Sequence, residues 1–141
     1  MSTIADIAEA VVTALNGHTF CEPFTAARAY RAAFDLKDMK DLHLTVVPKG
    51  VEMSTAGRGL SQSDVQVDIG VQKKLSAADN TEIDALMGLV QEIAEFVRST
   101  GEFGDARWVR TENVPIYSQE HLAELRQFTS VLTLTLRVIA A

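Results

Sequence analysis

Apolar residues recur along the chain in two periods, and each predicts its own kind of element. Ile4, Ile7, Ala8, Val11 and Leu15 keep three- and four-residue spacing, which lines one face of a helix over residues 3–15. Asp6, Glu9 and Thr13 take the opposite face. Ser2 or Thr3 is placed to cap the start, and Asn16-Gly17 is expected to supply a left-handed stop. A longer run of the same spacing, Ile83, Leu86, Met87, Val90, Ile93, Ala94 and Val97, predicts a second helix over 80–99. Asp79 and Glu82 resemble a capping box at its start, and Gly101 sits just past its end.

The other period is two. In Asp64–Lys73, Val65, Val67, Ile69 and Val71 alternate with Gln66, Asp68, Gly70 and Gln72, the pattern of a strand with one wet face. In Phe128–Ala140, Leu132, Leu134, Leu136 and Val138 alternate with Val131, Thr133, Thr135 and Arg137. Shorter strand signals occupy Thr25–Ala33, Leu42–Val47 and Arg107–Asn113. Met53–Gln62 (MSTAGRGLSQ) is rich in Gly and Ser and reads as a hairpin arm or flexible loop leading into the strand at Asp64. Glu102–Asp105 reads as a turn, and Ser118–Leu125 opens as a capped short helix.

The order is helix, strands, helix, strand, short helix, strand. Strands in succession without crossover helices predict an α+β fold: an antiparallel or mixed β-sheet with two main helices packed on one face, plus a flexible hairpin arm. At 141 residues the chain is one domain, residues 1–141.

Composition narrows the function classes. The net charge is −6, with 13 basic and 19 acidic residues, and no stretch has the Lys/Arg excess that phosphate neutralisation requires. One cysteine, Cys21, excludes an intrachain disulfide framework and a multi-cysteine zinc site. No basic n-region with a long apolar core opens the chain, and no run of about 18 apolar residues occurs, so neither signal peptide nor membrane span is expected. A soluble, cytoplasmic protein is the expectation.

Catalytic motifs are missing from the pattern. His18 and Cys21 are three residues apart, but His43 and His121 lie in different elements with no second ligand at metal spacing, so scattered polar residues are the expected reading. Gly57-Arg58-Gly59 is followed by a strand rather than a helix, which suits a hairpin tip better than a phosphate cradle. Asp35, Asp38 and Asp41, interleaved with Lys37 and Lys40, read as a solvated segment or, alternatively, as an acidic rim where subunits or cations meet. Trp108 between Arg107 and Arg110 reads equally as a core plug or as a protein-contact edge. No cofactor is expected.

Taken together, the segments have a resemblance. An amphipathic N-terminal helix precedes TAARAYRAAFDLKDMKDLHLTVVPKG; DVQVDIGVQKKL then leads into EIDALMGLVQEIAEFV, and the close is VPIYSQEHLAELRQFTSVLTLTLRV. This pattern and element order, over almost the whole chain, resembles the small tail-terminator and tail-completion proteins of long-tailed bacteriophages and prophages. The resemblance implies a non-enzymatic virion protein, assembled in the host cytoplasm. It would form a homo-oligomeric ring, commonly a hexamer, that caps the tail tube and joins the head. Its partners would be its own copies, the tube protein and head-completion or connector proteins, with DNA only as passing cargo and no membrane.

Such a subunit needs faces rather than a pocket. The candidates are Met53, Arg58 and Leu60 on the arm; Gln66, Asp68 and Gln72 on the first alternating strand; Arg107, Trp108 and Arg110; and Thr133, Thr135 and Arg137 on the last strand. A different head-tail connector protein would use similar surfaces. A small-molecule-binding α+β domain would instead need a pocket, with His43, His121 and Tyr117 as its polar groups.

Overall fold

A computed structural model describes residues 4–29, 42–75 and 80–140, with no account of the side chains of 124–125. Nine elements follow in order: α1 Ile4–Asn16, β1 Ala26–Arg28, β2 His43–Gly57, β3 Leu60–Lys74, α2 Asn80–Thr100, β4 Glu102–Phe103, β5 Ala106–Glu112, α3 Gln119–Leu125 and β6 Gln127–Ala140. The strands form one mixed six-stranded sheet in the order β1-β2-β3-β6-β5-β4. Only β1 and β2 are parallel; every other pairing is antiparallel. The fold is α+β.

Register explains why the two alternating sequences make one core. Val65, Val67 and Ile69 of β3 stand opposite Leu136, Leu134 and Leu132 of β6. Leu44 and Val46 of β2 pair with Val71 and Ile69, so they extend the same apolar face. All of these residues are buried. The helices supply the other half: Ile7, Ala8, Val11, Val12 and Leu15 from α1, and Leu86, Leu89, Val90, Ile93 and Val97 from α2, join them in a single cluster. Burying a side chain of this size is favourable by about 1.5–3 kcal/mol, so the shared face fixes the register; a one-residue slip would turn it to water.

The helix ends differ from one another. Gly101 stops α2 in the left-handed conformation at φ 71°, its N–H donating to the Val97 carbonyl at 3.1 Å. α1 ends at Asn16 as expected, but Gly17 is not left-handed. The Asn16 side chain instead turns the chain: its Oδ1 accepts from the Ala26 N–H at 2.8 Å and its Nδ2 donates to the Ala26 carbonyl at 3.0 Å. That amide copies a strand's pairing and ties the helix end to β1. Ser118 caps α3, accepting from the His121 N–H.

Met53–Gln62 is a hairpin, not a loop. Met53 pairs with Ser63, Ser54 with Gln62 and Thr55 with Ser61, and the turn falls at Arg58-Gly59, with Gly59 at φ 66°. Its residues are exposed on both faces, apart from part-buried Gln62, so no hydrophobic alternation marks it as strand. Of the shorter strand signals, Leu42–Val47 extends far into this arm and Arg107–Asn113 corresponds to β5. Within Thr25–Ala33 the strand covers Ala26–Arg28, and residues from 30 on lie outside the described residues, as do Ser2, Thr3 and Asp79.

Candidate assembly surface

The second face of the sheet is where most of the expected contact residues converge. The pairs Asp64–Arg137, Gln66–Thr135 and Asp68–Thr133 lie across β3 and β6. β5 adds Arg107 beside Arg137, Arg110 beside Thr135 and Glu112 beside Thr133. On the other side β2 sets Glu52 beside Asp64 and Gly50 beside Gln66, with the bulged Lys49 reaching Asp68 at 4.0 Å. The result is a four-strand polar surface.

Its charges are organised into pairs. Arg137 holds Asp64 in a two-point contact, Nε to Oδ1 at 2.9 Å and Nη2 to Oδ2 at 3.2 Å. This hydrogen bond, aided by the nearby positive charge of Arg137 and Arg110, lowers the Asp64 pKa despite partial burial, and it raises that of Arg137. Thr133 donates to Asp68 at 2.7 Å, and Arg110 meets Glu112 at 3.4 Å. Lys49, Arg107, Arg110 and Arg137 balance Glu52, Asp64, Asp68 and Glu112. The acidity of the chain sits elsewhere: residues 4–29 and 80–100, which hold α1 and α2, carry seven carboxylates and two arginines.

Gln72 and Thr135 belong to the same face but are each only 4% exposed. Next to Gln72 the surface closes into a buried polar cluster, where Thr129 Oγ1 meets His121 Nδ1 at 2.9 Å and accepts from Gln127 Nε2 at 2.8 Å. Among the described residues, the Thr45 hydroxyl and the Gln72 Oε1 have no hydrogen-bond partner.

The other candidates are distributed by strand alternation. Met53, 71% exposed, lies on the helix-side face of the arm, in line with Val51 and beyond the reach of the helices. Arg58 is at the tip, and Leu60 is exposed just past it. Trp108 is part-buried. It packs against the core edge and donates to Thr111 at 2.8 Å, yet it also lines an open cleft of about 470 Å³ with Arg107, Arg137 and Ile139. Asp35, Asp38 and Asp41 lie outside the described residues.

Two features escape the sequence reading. Val51 on the helix side and Ile139 on the open face are further exposed apolar residues at the arm end, and Val114 and Ile116 form a separate group, with Val114 90% exposed. The signal for the second is a Val-Pro-Ile run outside any periodic segment. His18 stacks on Phe96 with ring centroids 4.5 Å apart, and Tyr117 leans on Phe128. With His121 bound to Thr129, these side chains are engaged in packing. Among the described residues no three His, Cys, Asp or Glu side chains gather as metal ligands, and no helix is long and apolar enough to cross a membrane.

Neither a protein-family model nor a curated protein matches the chain.

Proposed function

We propose that the protein is a ring-forming structural subunit of a long bacteriophage tail, a tail terminator that caps the tube and offers the joining surface for the head. The observation that carries this reading is the charge-paired sheet face, part-exposed at Asp64, Gln66, Asp68, Thr133 and Arg137 and continuous with a projecting arm whose apolar residues are exposed. A monomer gains nothing from holding Met53, Val51, Leu60 and Ile139 in water. A subunit in a ring buries such residues against its neighbours, at roughly 800 Å² per partner.

The charge distribution fits the same role. A sheet face with equal numbers of positive and negative groups neither grips nor strongly repels a passing DNA duplex, because binding to phosphate requires a surplus of Lys and Arg. The excess negative charge on the helical segments suits an outward surface in a crowded assembly. The hexameric count comes from the resemblance of the sequence to tail-terminator and tail-completion proteins.

Native mass spectrometry and sedimentation velocity test the reading. Concentration-dependent oligomers, or capture of the protein by purified tail tubes, are the expected results. A strict monomer at high concentration that also ignores tails would overturn it. Tail genes flanking the coding sequence would favour a tail station over a small-molecule-binding domain.

A further inference from the structure

We infer that the two free edges of the sheet are complementary, so that the arm edge of β2 in one copy pairs antiparallel with the outer edge of β5 in the next, Glu52 opposite Arg110. The inference rests on the self-assembly reading above and names its contact.

Both edges have unpaired backbone among the described residues. β1 covers β2 only from Leu44 to Val46, leaving the outer N–H and C=O groups beyond Val47 available. β4 covers β5 only at Ala106 and Arg107, with one further bond from the Trp108 N–H to Gly101. Beyond that the edge is free to Glu112. Free strand edges of this kind are templates for another strand.

Their directions match. β2 is antiparallel to β3, β3 to β6 and β6 to β5, so β2 and β5 run in opposite senses. A neighbouring copy placed beside the first, with its sheet upright, therefore brings an antiparallel strand to the edge. The two edges are different surfaces, so the contact is head-to-tail and can close into a ring.

Side-chain parity and charge select the register. Glu52, Arg107 and Arg110 all project on the open face, being level with Asp64, Arg137 and Thr135. The outer edge of Arg107 is occupied by Glu102 of β4, which leaves Arg110 as the arginine that Glu52 can meet. That alignment sets Val51 beside Thr111 on the helix side, covering one of the exposed apolar residues of the arm, and the pairing ends at Glu52, because Gly101 holds the outer edge at Trp108 and Glu102 that at Arg107. It also carries Lys49 to Glu112. Each edge has its bulge next to the Gln66–Thr135 pair, at Lys49 in β2 and at Val109 in β5.

Charge reversal tests the contact. Glu52→Arg and Arg110→Glu should each weaken self-association at least tenfold by sedimentation velocity, and the double variant should recover most of the loss. Circular dichroism of each variant checks that the fold is kept. A separate chain with Glu52→Cys and Arg110→Cys, in a Cys21→Ser background, should give a ladder of oxidised oligomers on a non-reducing gel, since directly opposed strand residues lie within disulfide reach. If either reversal leaves association unchanged, if the double variant does not recover, or if no ladder forms, the edge pairing is wrong while self-assembly stands. In particular, a silent Arg110→Glu beside a disruptive Glu52→Arg would mean arm pairing with arm. A wild-type chain that stays monomeric at millimolar concentration and on tail tubes removes both readings.

Discussion

The two faces of the sheet are built from the same strands, residue by residue in alternation, yet they do different work. On one, Val65, Val67 and Ile69 with Leu132, Leu134 and Leu136 are covered by two helices and almost wholly buried. On the other, Arg137 holds Asp64, Thr133 holds Asp68 and Arg110 meets Glu112 at hydrogen-bond and ion-pair distances. Fold energy is concentrated on the first face, because burial of apolar area outweighs exposed ion pairs several-fold. The second face can therefore be altered for recognition with little effect on the fold, which is what an assembly surface needs.

The largest expected effect follows from breaking that division on adjacent residues of one strand. Leu134→Ala removes a fully buried side chain from the middle of β6 and should cost about 2–5 kcal/mol. Thr133→Ala, one residue away on the open face, loses only its bond to Asp68 and should cost about 1 kcal/mol. Urea melts of the two variants check the ratio. Equal losses would mean that the open face is itself part of the core.

The sequence made the first face legible and the second only in part, for a physical reason. Burial on one side imposes alternation, so Asp64–Lys73 and Phe128–Ala140 announce themselves as strands, and the 3.6-residue stripes announce α1 and α2. The arm has water on both sides and therefore no period, which is why its strands at 53–57 and 60–62 read equally as loop. Asn16 shows the same limit in another form. Its amide bonds to Ala26, a partner ten residues on, and no local pattern encodes that contact. The candidate residues on the sheet were placed together because period-two spacing puts Gln66, Asp68, Thr133 and Thr135 on the wet side of their strands. Which strand lies beside which, and hence the Asp64–Arg137 pair, depends on the order β2-β3-β6-β5 that spacing alone does not specify.

A second test sharpens the boundary between the faces from the polar side. Thr45 is on the open-face side of β2, level with Gly70, but it is 0% exposed and its hydroxyl has no partner among the described residues. Replacing an unpaired buried hydroxyl by a methyl of the same shape removes a desolvation cost without leaving a cavity. Thr45→Val is therefore expected to stabilise the protein by about 1 kcal/mol, raising Tm by roughly 3 °C for a chain of this length. Differential scanning calorimetry measures it. A loss of stability would show that the hydroxyl is hydrogen-bonded in solution, for instance to a buried water.

The smallest expected effect is a pH dependence confined to the open face. Arg137 lowers the Asp64 pKa below its ordinary 3.8 by hydrogen bonding and charge. The folded state thus binds this proton less readily than the unfolded chain, and the pair's contribution is complete above the unfolded pKa. It is lost as pH falls through the lower folded value. With the side chains 25% and 37% exposed, solvent screening keeps the contribution small. Asp64→Asn should then melt slightly below wild type at pH 7, and the gap should close as the pH falls well below 3.8. A gap that persists unchanged to low pH would assign it to packing of the carboxamide rather than to the ion pair, and the open face would owe its order to shape instead of charge.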